Sequence, residues 1–305
     1  MTEKPMSQEP LPDPAMRTAD AEEIAPGLLV IPNRGAPLVP NISVIGGARA
    51  VLVVETGIGT ANAEQVLAFA TEVAKGRRLY LTTTHFHPEH AFGAHGFADE
   101  ATYLVDRAQA DDLRTRGAGC LETFRGLGGD IARRLEGVRP PTPDVVHDGG
   151  HDLDLGGRYV RLRATGQGHS KGDQAVEVPD AGVLFTGDLA ETGQFAVFPW
   201  FPPYDTDVSG RRRPAVMDRL AADRARVVVP GHGDTGGPEV LTDVRDHLRE
   251  LRDETWRRRD SAMGEDGIAA EVAALLIERH PRWAGREWIE RGMGCLCAEH
   301  PCGSP

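Results

Sequence analysis

The chain has 305 residues, 40% of them apolar, and a formal net charge of −12 at pH 7. That is enough for one large α/β core with additions, or for two small ones. The acidic balance argues against nucleic acid as a partner, because phosphate backbones demand a basic face; the one basic run, Arg211-Arg212-Arg213, reads as a solvated loop.

In chain order, Met1 to Glu23 is rich in Pro, Glu, Asp and Ser without an apolar stretch. It is expected to be neither a signal peptide nor a membrane helix, but a disordered tail (1–23) of a cytoplasmic protein. Leu28 to Ile31, Ile42 to Ile45 and Ala50 to Val54 are short β-type runs separated by turn residues, as in a meander that opens a sheet. Thr60 is placed to cap a helix whose apolar positions Val66, Leu67, Ala70, Val73 and Ala74 recur at helical spacing. Leu79 to Thr83 is then a strand, followed by a strand over Thr102 to Val105, a helix over Asp106 to Arg116 and a glycine-rich stretch from Gly117 to Gly129. Arg139-Pro140-Pro141-Thr142-Pro143 marks a break between halves. The second half repeats the theme, with strands over Tyr159 to Ala164, Ala175 to Val178, Val183 to Phe185 and Arg226 to Val229, and a helix near Pro214 to Asp223. Val240, Leu241, Val244, Leu248 and Leu251, then Ile268, Val272, Leu275 and Leu276, predict two amphipathic helices closing over the core.

The chemistry concentrates where strands end. Thr84-His85-Phe86-His87-Pro88-Glu89-His90 puts three imidazoles and a carboxylate within six residues, directly after an apolar strand. Such donors suit Zn²⁺ or iron. Gly168-His169-Ser170, Thr186-Gly187-Asp188 and Pro230-Gly231-His232-Gly233-Asp234 follow, the last two just after β-type runs. A rigid sheet delivers chemistry at that kind of position.

This ordered set resembles the metallo-β-lactamase-fold superfamily, over about Ile24 to His247. The resemblance implies a four-layer αβ/βα sandwich spanning 24–237; the helical spacing adds an extension over 238–292 packed on the same domain, and a Cys-containing tail follows over 293–305. It also implies that His85, His87 and His169 hold one metal, that Glu89, His90 and His232 hold a second, and that Asp188 bridges the two. A dinuclear Zn²⁺ centre lowers the pKa of bound water and polarises an acyl or phosphoryl oxygen, so the expected activity is hydrolysis by a metal-bound hydroxide.

The chain departs from the family pattern in ways that matter. Glu89 replaces the usual Asp, and three roles are open to it: ligand of the second metal, general acid or base through water, or a bystander of a one-metal enzyme. Glu55, in Val54-Glu55-Thr56-Gly57, also stands where the family has Asp; the resemblance implies that it orients a ligand histidine. A bridging Asp188 is unlike the better-known β-lactamases and resembles the glyoxalase II, lactonase, phosphodiesterase and sulfur-dioxygenase branches. Glu191 stands where the lactonase branch tends to have Tyr.

The stretch from Phe195 to Tyr204 is the densest aromatic one. Its prolines predict a loop, and Phe198, Trp200, Phe201 and Tyr204 are candidate substrate contacts, with packing on the domain's own helices as the alternative. Ser170 and Lys171 read as loop surface. Cys295, Cys297, His300 and Cys302 read as a reduced, mobile tail, with a Zn²⁺ site the other possibility. The expected function is a hydrolase of an ester, thioester, lactone or related acyl bond in a small molecule. A mononuclear iron persulfide dioxygenase and a non-catalytic metal-binding protein are the alternatives.

Overall fold

The computed structural model describes residues 14–261 and 263–300. A first sheet of seven strands runs in chain order: β1 (Glu22–Ala25), β2 (Leu28–Ile31), β3 (Ile42–Gly46), β4 (Ala50–Val54), β5 (Arg78–Thr82), β6 (Ala101–Asp106) and β7 (Val145–His147). β1 to β4 pair antiparallel as a meander, and β4 to β7 pair in parallel. Between the parallel strands lie α1 (Gly59–Ala74), the single-turn α2 (Pro88–Ala91), α3 (Arg107–Thr115), α4 (Gly117–Arg125) and α5 (Gly129–Arg134). The second sheet has five strands in the order β12 (Val227–His232), β11 (Val183–Glu191), β10 (Gln174–Val178), β9 (Tyr159–Ala164) and β8 (Gly150–Asp154), with β11 and β12 parallel. α6 (Arg213–Ala222), α7 (Glu239–Asp260), α8 (Glu265–Arg279) and α9 (Glu287–Glu299) complete the chain.

Strand alternation builds the layers. In β4, Val51 and Val53 face α1, while Leu52 and Val54 face the second sheet, where they meet Val160, Leu162, Val176, Phe185 and Val229. A third cluster joins the outer face of the second sheet to α6–α9 through Leu184, Met217, Val244, Leu248, Val272 and Leu296. The result is the expected αβ/βα sandwich with C-terminal helices.

Four readings need correction. The expected tail is only partly outside the fold: residues 1–13 lie outside the described residues, but Met16 is buried and β1 pairs with β2. The strand was missed because Glu22 and Glu23 hide any alternation; it is an edge strand, with no apolar face to signal it. α1 begins at Gly59, so Thr60 sits inside its first turn and does not cap it. Arg211-Arg212-Arg213 is not wholly solvated, because Arg213 is fully buried. The expected tail from 293 begins inside α9, where Met293, Cys295, Leu296 and Cys297 are buried against the second sheet's outer helices. The periodic apolar face of α9 is masked in sequence by glycines at 292 and 294, which let Phe198 and Trp200 approach its backbone. Cys302 lies outside the described residues.

Candidate metal centre

The strand ends meet at one edge of the sandwich. The chain leaves β5 at Thr82, and His85 and His87 project from the turn before α2; His87 is the residue preceding that helix, whose first turn carries Glu89 and His90. His169 comes from the loop between β9 and β10, Asp188 from β11 and His232 from the end of β12. The two sheets are tied here directly: the Gln174 amide donates to the Thr84 carbonyl at 2.8 Å, and Gln174 Nε2 donates to Thr82 Oγ1 and the Thr83 carbonyl.

All seven side chains singled out as ligands come together, and all are buried. His85, His87 and His169 form one group and Glu89, His90, Asp188 and His232 another, each with its donor atoms within 4.8 Å of one another. In the first group His85 Nε2 and His169 Nε2 lie 3.0 and 3.1 Å from His87 Nδ1, so three ring nitrogens face one point. Asp188 faces both groups: Oδ1 lies 3.3 Å from His90 Nε2 and 3.5 Å from His232 Nε2, and Oδ2 lies 3.8 Å from His169 Nε2.

The far nitrogens of four of the rings meet other groups, which orients the rings. His85 Nδ1 is 3.1 Å from Thr84 Oγ1, whose hydroxyl donates to Glu55 Oε1 at 2.5 Å. His90 Nδ1 lies 3.4 Å from the same Glu55 oxygen. Glu55 holds a left-handed backbone conformation (φ 74°), unusual for a non-glycine residue and a common mark of constrained sites. His232 Nδ1 lies 3.4 Å from Asn33 Nδ2, while Asn41 Nδ2 donates to the Pro230 and Gly233 carbonyls on either side of His232. His87 Nε2 donates to Asp205 Oδ2 at 3.1 Å. Behind Asp188, Arg213 donates to the carbonyls of Asp188, Leu189 and Val197 and pairs with both oxygens of Glu191.

Burial and mutual repulsion among the imidazoles hold His85 well below the usual histidine range, and burial does the same to His169. Burial also opposes charge on His90, but the carboxylates of Asp188 and Glu55 outweigh it and raise that ring well above its ordinary value. Burial pushes the Asp188 carboxyl up, yet His232 and His90 prevail and hold it low. Asp205 is likewise pulled down to about 2, as His87 and Arg116 overcome burial. His85 and His169, held low, are neutral donors beside an ionised Asp188, and His87 and His90, raised by their carboxylate neighbours, would release their protons to a divalent ion.

The donors fit such ions on a second count. Glu89 Oε2, Asp188 Oδ1, both nitrogens of His90 and His169 Nδ1 are buried without a hydrogen-bond partner. Buried polar atoms are rarely left so, and most of these face the common centre, where a cation would satisfy them.

A family model, "Metallo-beta-lactamase superfamily", matches residues 35–232. The chain belongs to the metallo-beta-lactamase superfamily. Among its relatives, acyl-coenzyme A thioesterase MBLAC2 from Bos taurus and from Homo sapiens is in each case 27% identical over 217 residues, covering 66% of this chain and 75% of the relative. Among solved structures, a metallo-beta-lactamase from Pontibacter korlensis superposes with a TM-score of 0.61 at 18% identity, over 75% of this chain and 98% of the other. The sec-alkylsulfatase Pisa1 from Pseudomonas sp. superposes with a TM-score of 0.69 at 17% identity, over 92% of this chain and 50% of the other. At such identities these two structures speak for the fold alone.

Membership matches the resemblance, but the candidate substrate loop is not one surface. Phe198 is fully buried between Gly210 and Gly292, packed on the domain's own helices. Trp200 is half-buried against α9, and Phe201 lies under the Arg291 guanidinium at 4.1 Å. Tyr204 is 78% exposed. Ser170, expected on the surface, is buried and bonds Asp173, while Lys171 is exposed. Asp205, Arg116 and Arg213 were missed, and only contacts across the fold give them meaning.

Proposed function

We propose that this protein is a dinuclear zinc thioesterase, hydrolysing the acyl thioester of a small molecule. The observation that carries the metal reading is Asp188, whose two oxygens face the two donor groups. His85, His87 and His169 hold the first ion; Glu89, His90 and His232 hold the second. Two Zn²⁺ ions, when bound, supply a water acidic enough to ionise near neutral pH and polarise the oxygen that gains charge. The protein's own part is to fix the donors. Asp188 and Glu89 offset part of the dications' charge while the imidazoles add none, so the centre keeps a net positive field for an acyl oxygen. The extra methylene of Glu89 is accommodated, since its carboxylate stays within the compact second group. Phe201 and Tyr204 offer apolar surface to an acyl substituent.

The choice of thioester among acyl bonds rests on the relatives named acyl-coenzyme A thioesterase. No helix among the described residues is long and apolar enough to cross a membrane, which agrees with a substrate met in water; a cytoplasmic setting is part of the same proposal.

Elemental analysis of protein purified without added metal or chelator, followed by thiol release from acyl-coenzyme A substrates of graded chain length, tests this. About two Zn per chain and turnover abolished by Asp188→Ala are expected. A single Fe per chain, with oxygen uptake on persulfides, would replace the proposal with the dioxygenase reading. Two Zn with no turnover on any thioester, ester or lactone would leave a metal-binding protein without this activity.

A further inference from the structure

We infer that Asp205 is a positioning residue whose carboxylate joins the histidine triad to the aromatic loop, so that the first metal and that loop order one another. The inference rests on the metal reading of His85, His87 and His169. The geometry is specific. His87 turns Nδ1 toward His85 and His169, and its other nitrogen meets Asp205 Oδ2. A ring held by Nε2–H to a carboxylate keeps the Nδ1 lone pair free and is a stronger donor through it. The remaining oxygen, Asp205 Oδ1, accepts from Arg116 Nη2 at 2.6 Å. Arg116 is itself fixed: it also bonds Asp207 and Asp112, and its guanidinium lies 4.7 Å above the Phe86 ring, the residue between the two histidines.

Asp205 closes a tight turn of the loop between β11 and α6. Its amide donates to the Phe201 carbonyl at 3.0 Å, the Phe201 amide donates to the Asp205 carbonyl at 2.7 Å, and the turn presents Tyr204 to solvent. The turn belongs to no strand or helix; α9 holds its start through Arg291, which donates to the Trp200 carbonyl and covers the Phe201 ring, and His87 and Arg116 grip its end from the first half of the molecule. Fixing His87 on an ion therefore fixes the turn, and removing the carboxylate loosens both; such coupling is reciprocal.

Zinc affinity, measured by competition with a chromophoric chelator, and hydrogen exchange over residues 200–206 with and without zinc test this in the full chain. Asp205→Ala is expected to weaken one of two zinc sites by about 10- to 100-fold, the usual loss when a ligand's supporting group is removed. It should also abolish the slowing of exchange in the turn that zinc produces in the unmodified protein. Asp205→Asn keeps an acceptor for His87 and should fall between; it also serves if the alanine variant fails to fold. Asp207→Ala, which touches Arg116 but no histidine, should leave zinc affinity within about threefold as the folding control. Unchanged affinity and unchanged zinc-dependent protection in both Asp205 variants would overturn the inference while leaving the metal centre intact. Absence of zinc binding in the unmodified protein would instead remove the reading on which it rests.

Discussion

Replacing Arg213 by Met is expected to be the most destabilising single change near the site that leaves every candidate ligand side chain in place. The guanidinium is fully buried, with its nitrogens on the carbonyls of Leu189 (3.1 Å), Val197 (2.7 Å) and Asp188 (2.6 Å) and on the Glu191 carboxylate (2.8 and 3.0 Å). Methionine keeps part of the packing but leaves the Glu191 carboxyl, which burial already pushes up to about 8, without its partner; removing one member of a buried pair costs about 3–5 kcal/mol, and protonation of Glu191 offsets part of that. The three carbonyls lose donors as well, at roughly 1–3 kcal/mol for each that stays dry. Relaxation makes these losses less than additive, so a total of about 4 kcal/mol or more is expected, a large share of a typical 5–15 kcal/mol. Urea unfolding followed by far-ultraviolet circular dichroism measures it, and a cycle with Glu191→Leu separates the charge from the carbonyls. Arg213→Met/Glu191→Leu should recover about 2 kcal/mol relative to Arg213→Met alone, because no buried charge is then stranded. If Arg213→Met unfolds within about 1 kcal/mol of the unmodified protein, the buried guanidinium does not hold the Asp188, Leu189 and Val197 carbonyls in place.

Three further outcomes are expected. Gly231→Ala would set a Cβ 1.9 Å from Asp188 Oδ1 and 2.7 Å from the Gly187 carbonyl carbon, so the carboxylate must move; zinc content should fall below two per chain by elemental analysis, with stability down by about 2 kcal/mol or more in urea. His247, packed between Phe195 and Trp283, is pushed down to about 3 by burial and by His280. Its folded value lies below its unfolded one, so the unfolded chain binds the extra proton and stability should decline as pH falls from about 6.5 toward 3, by up to about 4 kcal/mol; His247→Phe should flatten that part of a urea-midpoint series taken against pH. Ending the chain at Gly292 removes the buried Met293, Cys295, Leu296 and Cys297, so the truncated protein should be insoluble or lack a cooperative thermal transition, whereas an unaltered midpoint would restore the view of this segment as a dispensable tail.

Most of the candidate ligands were legible because they follow a strand whose apolar run is visible: Leu79 to Leu81 before His85, Val183 to Phe185 before Asp188, and Val227 to Val229 before His232; His169, on a loop without such a run, was legible only through the order of the motifs. Glu55 was legible only through the family pattern, and the structure sets it against Thr84 and His90. Asp205 and Arg116 gave no sequence signal, since their meaning is a contact between positions 89 residues apart and neither lies in a periodic run. Arg213 was misread for a related reason: three consecutive arginines look alike on paper, but the helix that starts at the third turns it inward under Asp188. The aromatic loop was open to two readings, substrate contact or packing on the domain's own helices, and Phe198 follows the second, drawn into the interior by Gly210 and Gly292, whose missing side chains leave room for the ring.

The Gln174–Thr84 link and the placement of His169 opposite His85 and His87 mean that the triad belongs to neither sheet alone. An ion held by all three would therefore act as a staple across the sandwich, and its concentration would set how firmly the halves stay joined. At a free concentration a thousand times its dissociation constant, one such ion adds about 4 kcal/mol against unfolding. Metal supply to this protein would then bear on its stability as well as its chemistry.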